Sequence, residues 1–406
     1  MNNRTGEQPN IRTAEQPNYE LGKSGAGERA KGRDDLLAEM SQTVLQARPH
    51  SQSPVRSSAV RLFGCSIVLP LLLSLTLSCR RPATPVTRQW TTMGTFASLT
   101  VSAPTAASLP ANATLTRDTF EALNQSLSTY IASSDISRLN AAAGQDPIPV
   151  SPDTTAMLAL ATRFSDLSGG AFDVTVLPLM QLWGFRNGQP PTALPDPVAV
   201  AATLPLVNYQ SVEQGGGSAG LAQAGMQIDL GGIAKGYAVD RAFDLLQRTG
   251  QHNLLINLGG NMRALGRPEP SRPWRVGVRN PFNRSELLGT IDLPNGYAVA
   301  TSGNYEKFVE LDGTRYAHIM DPRNGRPVQG IAAVTILAPT AVAADALSTA
   351  LFVVGLDGAP TILAHVPNTH ALIVPDRHPI QIHLSPALAP RFTPLPTYKK
   401  SIHSMP

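Results

Sequence analysis

One apolar run divides this 406-residue chain into two parts that face different physical environments. Residues 62–78 read LFGCSIVLPLLLSLTLS, with Arg56 and Arg61 before them and Arg80, Arg81 and a Pro-rich linker after them. That is the pattern of a secretory h-region. Its 17 residues, with Pro70 among them, fall short of the roughly 20 apolar residues that a spanning helix needs. The only cysteines are Cys65 and Cys79, so everything after the run must fold without a disulfide.

The end of the run, Thr76-Leu77-Ser78-Cys79, resembles the lipobox of bacterial lipoproteins, with a small residue directly before the cysteine. Leu is more usual where Thr76 stands, and a smaller residue where Leu77 stands. Two readings follow: lipidation at Cys79, or an uncleaved signal anchor. Both place the remainder of the chain on the periplasmic side of a bacterial inner membrane, the first with a lipid anchor.

Residues 1–54 carry the near-duplicates RTGEQPN and RTAEQPN and no apolar periodicity, so they cannot bury enough surface to order themselves. They read as a disordered leader, or as sequence upstream of a true start at Met40. The expected organisation is then a signal segment at 55–79, a linker at 80–90, a folded domain at 91–390 and a tail at 391–406. The net charge of +4 is concentrated at the front: residues 1–80 hold 10 Lys/Arg against 7 Asp/Glu, leaving 23 against 22 beyond. The later sequence has no basic stripe interleaved with aromatics, so a nucleic-acid partner is not expected.

Beyond residue 88, short β-rich runs alternate with a few amphipathic stretches, which predicts one α+β domain of mixed sheets and helices. Strands are expected at 96–101, 226–230, 254–258, 274–278, 297–301 and 332–337. Helices are expected at 118–131, with Phe120, Leu123, Leu127 and Ile131 at helical spacing, and at 151–167. Two more are expected from within 233–237 to Gly250, and at 341–354, ended by Gly355.

Three elements have chemical potential. Asp229-Leu230-Gly231-Gly232-Ile233-Ala234-Lys235 is an acidic strand end, a pair of glycines and a helix start, where backbone N–H groups can receive phosphate. It also reads simply as a tight turn. Asp345 and Thr349 are four residues apart in a predicted helix, which puts a carboxylate and a hydroxyl on one face. Hard oxygen donors of this kind suit Mg²⁺, although Asp345 alone would pass for a cap or an exposed charge. His318 stands at a strand end before the turn Asp321-Pro322-Arg323-Asn324-Gly325, as a general base or an ordinary surface histidine.

Taken in order, these elements and five others resemble the ApbE flavin transferase family. The others are Met93-Gly94-Thr95, the stretch from Ser128-Thr129-Tyr130 to Asn140, Gly169-Gly170-Ala171-Phe172-Asp173 running on to Leu182-Trp183-Gly184-Phe185, Asn257-Leu258-Gly259-Gly260-Asn261, and the Ser302 turn. The resemblance covers about residues 90–356 and implies a single ApbE-like, T-fold-related domain. It implies that Met93, Tyr130, Ala171, Phe172, Asp173, Asp229, Lys235 and Ile319 contact FAD. It further implies that Gly232, through its carbonyl, and Asp345 and Thr349, through their side chains, hold Mg²⁺, and that His318 is catalytic. Ser348 stands where some relatives have a third acidic ligand.

The implied activity is Mg²⁺-dependent transfer of FMN from FAD to a Ser or Thr hydroxyl of a partner protein, a membrane redox subunit by family habit, with release of AMP. Two other readings use the same parts: an FAD pyrophosphatase, in which water replaces the hydroxyl, and a non-catalytic periplasmic flavin carrier.

Overall fold

The structure, a computed structural model, describes residues 84–186 and 191–405. Residues 1–83, with the apolar run expected to direct secretion and Cys79, lie outside the described residues.

The principal sheet has nine strands: β1 (Val86–Thr92), β2 (Thr95–Val101), β3 (Leu254–Leu258), β4 (Asn261–Leu265), β5 (Ala298–Gly303), β6 (Ile331–Ala338), β7 (His370–Pro375), β8 (Ile382–Leu384) and β9 (Ile402–Ser404). Their spatial order equals their chain order. Every neighbouring pair is antiparallel except β8 and β9, which run parallel. The inner strands are apolar on both faces, so both faces must be covered.

Alternate residues do divide between two cores. Leu254, Ile256 and Leu258 of β3, with Val334, Ile336 and Ala338 of β6, belong to the helical side. Leu255, Val299, Leu337, Leu372 and Val374 face the other way, against a three-stranded sheet formed by Trp274–Arg279, Leu287–Leu293 and Phe392–Pro394. The helical side is covered by α1 (Leu109–Leu127), α2 (Pro152–Leu167), α3 (Ala234–Arg248) and α4 (Ala341–Leu363). α4 is long and apolar enough to cross a membrane, but here Leu347, Leu351 and Phe352 are wholly buried in that core. Each such side chain contributes about 1.5–3 kcal/mol.

The architecture is α+β as expected, and several local expectations need correction. α1 starts nine residues before the anticipated 118, because Pro110 sits in its first turn, where a missing N–H costs nothing. It ends at Leu127, so Ile131 lies beyond it. The run 226–230 is not a strand, although Met226, Ile228 and Leu230 are buried. Its only bridge is between Gln227 and Val176. The Asn140 amide stands in for a neighbouring strand, receiving the Ile228 N–H at 2.7 Å and donating to the Ile228 carbonyl at 2.9 Å. Gly355, at φ 65°, breaks α4 where predicted, yet a second helical segment continues to Leu363.

The outer limits of the domain also shift. β1 begins inside the segment taken as linker, and the segment taken as tail is built into the fold. Phe392–Pro394 pairs with Leu287–Leu293, and β9 pairs with β8. Those strands are too short to give a periodic signal, and only their partners reveal them.

Candidate active site

A cavity of about 680 Å³ opens beside the helical face of the sheet, and every residue named above as a FAD, metal or catalytic position lines it. The β1–β2 turn contributes Met93 and Gly94, both with positive φ, the signature of a two-residue hairpin turn that matches strand twist. Holding a non-glycine residue such as Met93 at φ 48° costs about 1–3 kcal/mol, and strain of this kind gathers at ligand sites.

The Asp229 junction forms the floor. One Asp229 oxygen accepts the Gly231 N–H at 2.8 Å, and a Cβ on Gly231 would lie 2.7 Å from that oxygen, so a larger residue here would displace the Asp229 carboxylate. The other oxygen pairs with Arg186 at 2.9 Å. The Arg186 guanidinium also stacks 4.3 Å over the Tyr130 ring and donates to the Tyr130 and Thr129 hydroxyls. Asp173 is turned inward: its carboxylate accepts from Thr175 N and Oγ1 at 2.7 and 2.6 Å and from Tyr209 N at 3.0 Å. It fixes the loop that carries Ala171 and Phe172, and burial raises its pKa.

α3 and α4 meet at the cavity wall through glycine. A Cβ on Gly236 would come within 2.3 Å of the Ala341 carbonyl oxygen and 2.8 Å of Asp345 Cβ. This contact lets Asp345 Oδ2 accept the Gly236 N–H at 2.9 Å, serving the otherwise uncapped N-terminus of α3. Asp345 is therefore neither a cap of its own helix, a place held by Thr340, nor an exposed charge. Its Oδ1 lies 3.8 Å from Lys235 Nζ, which also donates to the Gly231 carbonyl at 2.6 Å.

The donor set suits a hard cation. Asp345 supplies Oδ1, which has only the Lys235 ammonium 3.8 Å away, and Thr349 Oγ1 would be only 3.1 Å from a Cβ on Gly232, so the Gly232 backbone flanks it. Among the described residues no three His, Cys, Asp or Glu side chains gather as an all-protein metal cage. One carboxylate with a hydroxyl and a carbonyl is the sparse arrangement that Mg²⁺ accepts when water and phosphate complete its shell.

His318 follows the strand Thr314–Ala317 and hydrogen-bonds through Nδ1 to the Lys307 carbonyl at 3.1 Å. A carbonyl only accepts, so Nδ1 carries the proton and Nε2 keeps its lone pair. Desolvation is the main cause that pulls its pKa down to about 4; the Lys307 charge acts in the same direction, and the carbonyl bond opposes both. Lys307 also lines the cavity, and burial lowers its pKa, with Arg186 and Lys235 adding to the effect.

Arg186 and Lys307 are absent from the residues inferred from sequence. Arg186 is one position beyond the Leu182–Phe185 stretch that carries the resemblance, and Lys307 lies between the Ser302 turn and His318. Only the folded chain brings their charges to the cavity.

Fold and cavity together define an α+β protein with a cleft lined by four Lys/Arg and four Asp/Glu side chains. The chain belongs to the ApbE family, whose sequence pattern matches residues 93–373. It is 34% identical over 285 residues to the FAD:protein FMN transferase of Vibrio cholerae, covering 70% of this chain and 85% of that one. To the protein of the same name from Treponema pallidum it is 38% identical over 261 residues, covering 60% and 72%. The solved flavin transferase ApbE from Vibrio cholerae matches with a TM-score of 0.68 and 31% identity, over 76% of this chain and all of that one. The apo form of Pseudomonas stutzeri flavinyl transferase ApbE gives 0.68 and 29%, over 76% and 97%.

Proposed function

We propose that this chain is an FAD:protein FMN transferase, and that it joins FMN to a Ser or Thr hydroxyl of an acceptor protein through a phosphodiester, releasing AMP. The observation that carries the reading is the convergence of the Lys235 and Lys307 ammonium groups, the Asp345–Thr349 oxygen pair and an imidazole with its Nε2 lone pair free on one cavity.

In the reaction, the acceptor oxygen bonds to the phosphorus on the riboflavin side of the FAD pyrophosphate. The bond from that phosphorus to the bridging oxygen breaks, and the electron pair leaves with AMP. The hydroxyl proton passes to Nε2 of His318, the ring being held by its Nδ1–H on Lys307. Mg²⁺ bound by Asp345, Thr349 and the Gly232 carbonyl would neutralise pyrophosphate charge and steady the leaving oxygen. Lys235 and Lys307 add positive charge to the same cleft, while Met93, Tyr130 and Phe172 offer apolar and aromatic surface to the flavin.

The test is flavin fluorescence on the acceptor after denaturing electrophoresis, with FAD and Mg²⁺ present. A covalent signal that EDTA abolishes and Mg²⁺ restores supports the reading; a signal indifferent to EDTA removes its metal.

The apolar run and Cys79 support export and a lipid anchor on the periplasmic side of the inner membrane, where a membrane redox subunit would be within reach. Cys79→Ser is then expected to shift the protein out of the membrane fraction or to block its processing. Unchanged fractionation and mass would remove the anchor from the reading.

A further inference from the structure

The hydroxyl of Thr349 is one end of a short hydrogen-bond relay whose direction can be worked out. Ser348 Oγ donates to the Asp345 carbonyl at 2.8 Å, and a carbonyl has no proton to give back. Ser348 is wholly buried, so its single proton is committed there. At its 2.7 Å contact with Ser302 Oγ, Ser348 is consequently the acceptor and Ser302 the donor. With its own proton spent, Ser302 can only accept at its 3.4 Å contact with Thr349 Oγ1. A hydrogen bond along this long contact would direct the Thr349 proton toward β5 and leave its lone pairs for the cavity.

The helix explains why such help is needed. A Ser or Thr inside a helix ordinarily donates to the carbonyl three or four residues back. For Thr349 the carbonyl four back belongs to Asp345 and takes the Ser348 hydroxyl, while Thr349 Oγ1 meets Ser302 Oγ instead. Ser302 gives the Thr349 proton another acceptor, on a strand rather than on α4.

We infer that Ser302 is a positioning residue for cation binding: through the relay to Ser348 it fixes Thr349 Oγ1 as an acceptor aimed at the ion. The inference rests on the proposed reading that a divalent cation lies between Asp345 and Thr349. Groups that orient a metal ligand commonly contribute about 10- to 100-fold to metal affinity. The long last step of the relay places Ser302 at the lower end, about tenfold.

The experiment measures Mn²⁺ binding to the full-length protein by electron paramagnetic resonance, with no FAD and no acceptor. Parent, Asp345→Ala, Ser302→Ala and Ser302→Thr are compared, and melting temperatures are recorded for each. The expected result is Mn²⁺ binding by the parent, its loss in Asp345→Ala, about tenfold weaker binding in Ser302→Ala at a little-changed melting temperature, and recovery in Ser302→Thr. If Asp345→Ala loses Mn²⁺ while Ser302→Ala binds it like the parent, the relay is overturned and the metal reading survives. If the parent binds no Mn²⁺, or Asp345→Ala binds as the parent does, the metal reading is overturned and the inference with it. A Ser302→Thr protein that binds as weakly as Ser302→Ala would also overturn the relay, since the hydroxyl would then not be what matters.

Discussion

Asp345 Oδ2 receives the backbone N–H of Gly236 at 2.9 Å, so a carboxylate on α4 caps the N-terminus of α3. The arrangement is reciprocal. Asp240 of α3 accepts the N–H groups of Ala341 and Val342 at 2.8 and 2.9 Å, at the N-terminus of α4, and is neutralised by Arg263 at 2.7 Å. Two helices that carry the site are thus locked together by each other's carboxylates. Each cap acts on the half-charge at a helix start.

The lock separates two roles of Asp345. Asp345→Asn keeps an oxygen for Gly236 N–H and removes the charge that would face the ion, so transfer is expected to vanish at near-parent stability. Asp345→Ala also orphans a buried N–H, which costs about 1–3 kcal/mol. Urea denaturation of the two variants checks this: equal stabilities would show that the cap contributes nothing.

Gly236→Ala is expected to be more damaging than its size suggests. The added carbon would fall within 2.3 Å of the Ala341 carbonyl oxygen, a backbone atom that cannot rotate away. Forcing atoms into a packed contact commonly costs about 1–3 kcal/mol. Thermal unfolding should record the loss, and transfer should fall with it because Asp345 moves. A Gly236→Ala protein of parent stability would mean the helices tolerate separation.

Much of this site could be read from the sequence, and the reason is geometric. Asp345 and Thr349 share a face through helical period alone, and the Asp229–Lys235 junction declares itself by an acidic residue and two glycines at a helix start, where a Cβ would crowd the Asp229 carboxylate and the Thr349 hydroxyl. Such relationships are local. Arg186, Lys307 and the Ser302 relay are not, because each depends on segments far apart in the chain being packed together. The same distinction explains the fold: β3 was legible from its own apolar run, whereas 226–230 has a similar run but finds an asparagine amide instead of a strand. The final strands were missed because three residues carry no period.

Truncation after residue 390 tests that last point. It would remove one of the two partners of Leu287–Leu293, leaving Trp274–Arg279, and with it the packing of Phe392, which is only 6% exposed. Exposing one such aromatic costs about 1.5–3 kcal/mol. A drop in melting temperature is expected; an unchanged one would restore 391–406 to the status of a tail.

The pH dependence of transfer follows from the depressed pKa of His318. In the proposed reaction the neutral ring is the active form, and burial, which draws its pKa down to about 4, keeps it neutral at every pH well above that value. The acid limb of kcat/KM, which reports the free enzyme, is therefore expected below pH 5 rather than near the ordinary histidine value. Stability bears the same sign: the unfolded chain takes up this proton near pH 6.5, the folded chain only near 4, so this group's contribution falls as pH drops between them. An acid limb centred on 6.5 would contradict the burial argument.

His318→Ala divides binding from chemistry. As the proposed base, His318 would act on the acceptor hydroxyl and not on the flavin, so FAD affinity should survive while transfer slows by about 10²- to 10⁴-fold. Flavin fluorescence titration and single-turnover transfer measure the two quantities. Loss of FAD binding, or transfer at the parent rate, would withdraw His318 as base.

The central claim is that FMN ends on a protein hydroxyl, and the intact mass of the acceptor tests it most directly. After incubation of the full-length protein with FAD, Mg²⁺ and an acceptor bearing a single candidate Ser or Thr, the account predicts one FMN-sized gain per acceptor. It also predicts an equal yield of AMP, with neither product formed by Asp345→Asn. An acceptor of unchanged mass beside free FMN and AMP would make the protein a pyrophosphatase, and FAD left intact on the protein would make it a carrier; either result contradicts the account.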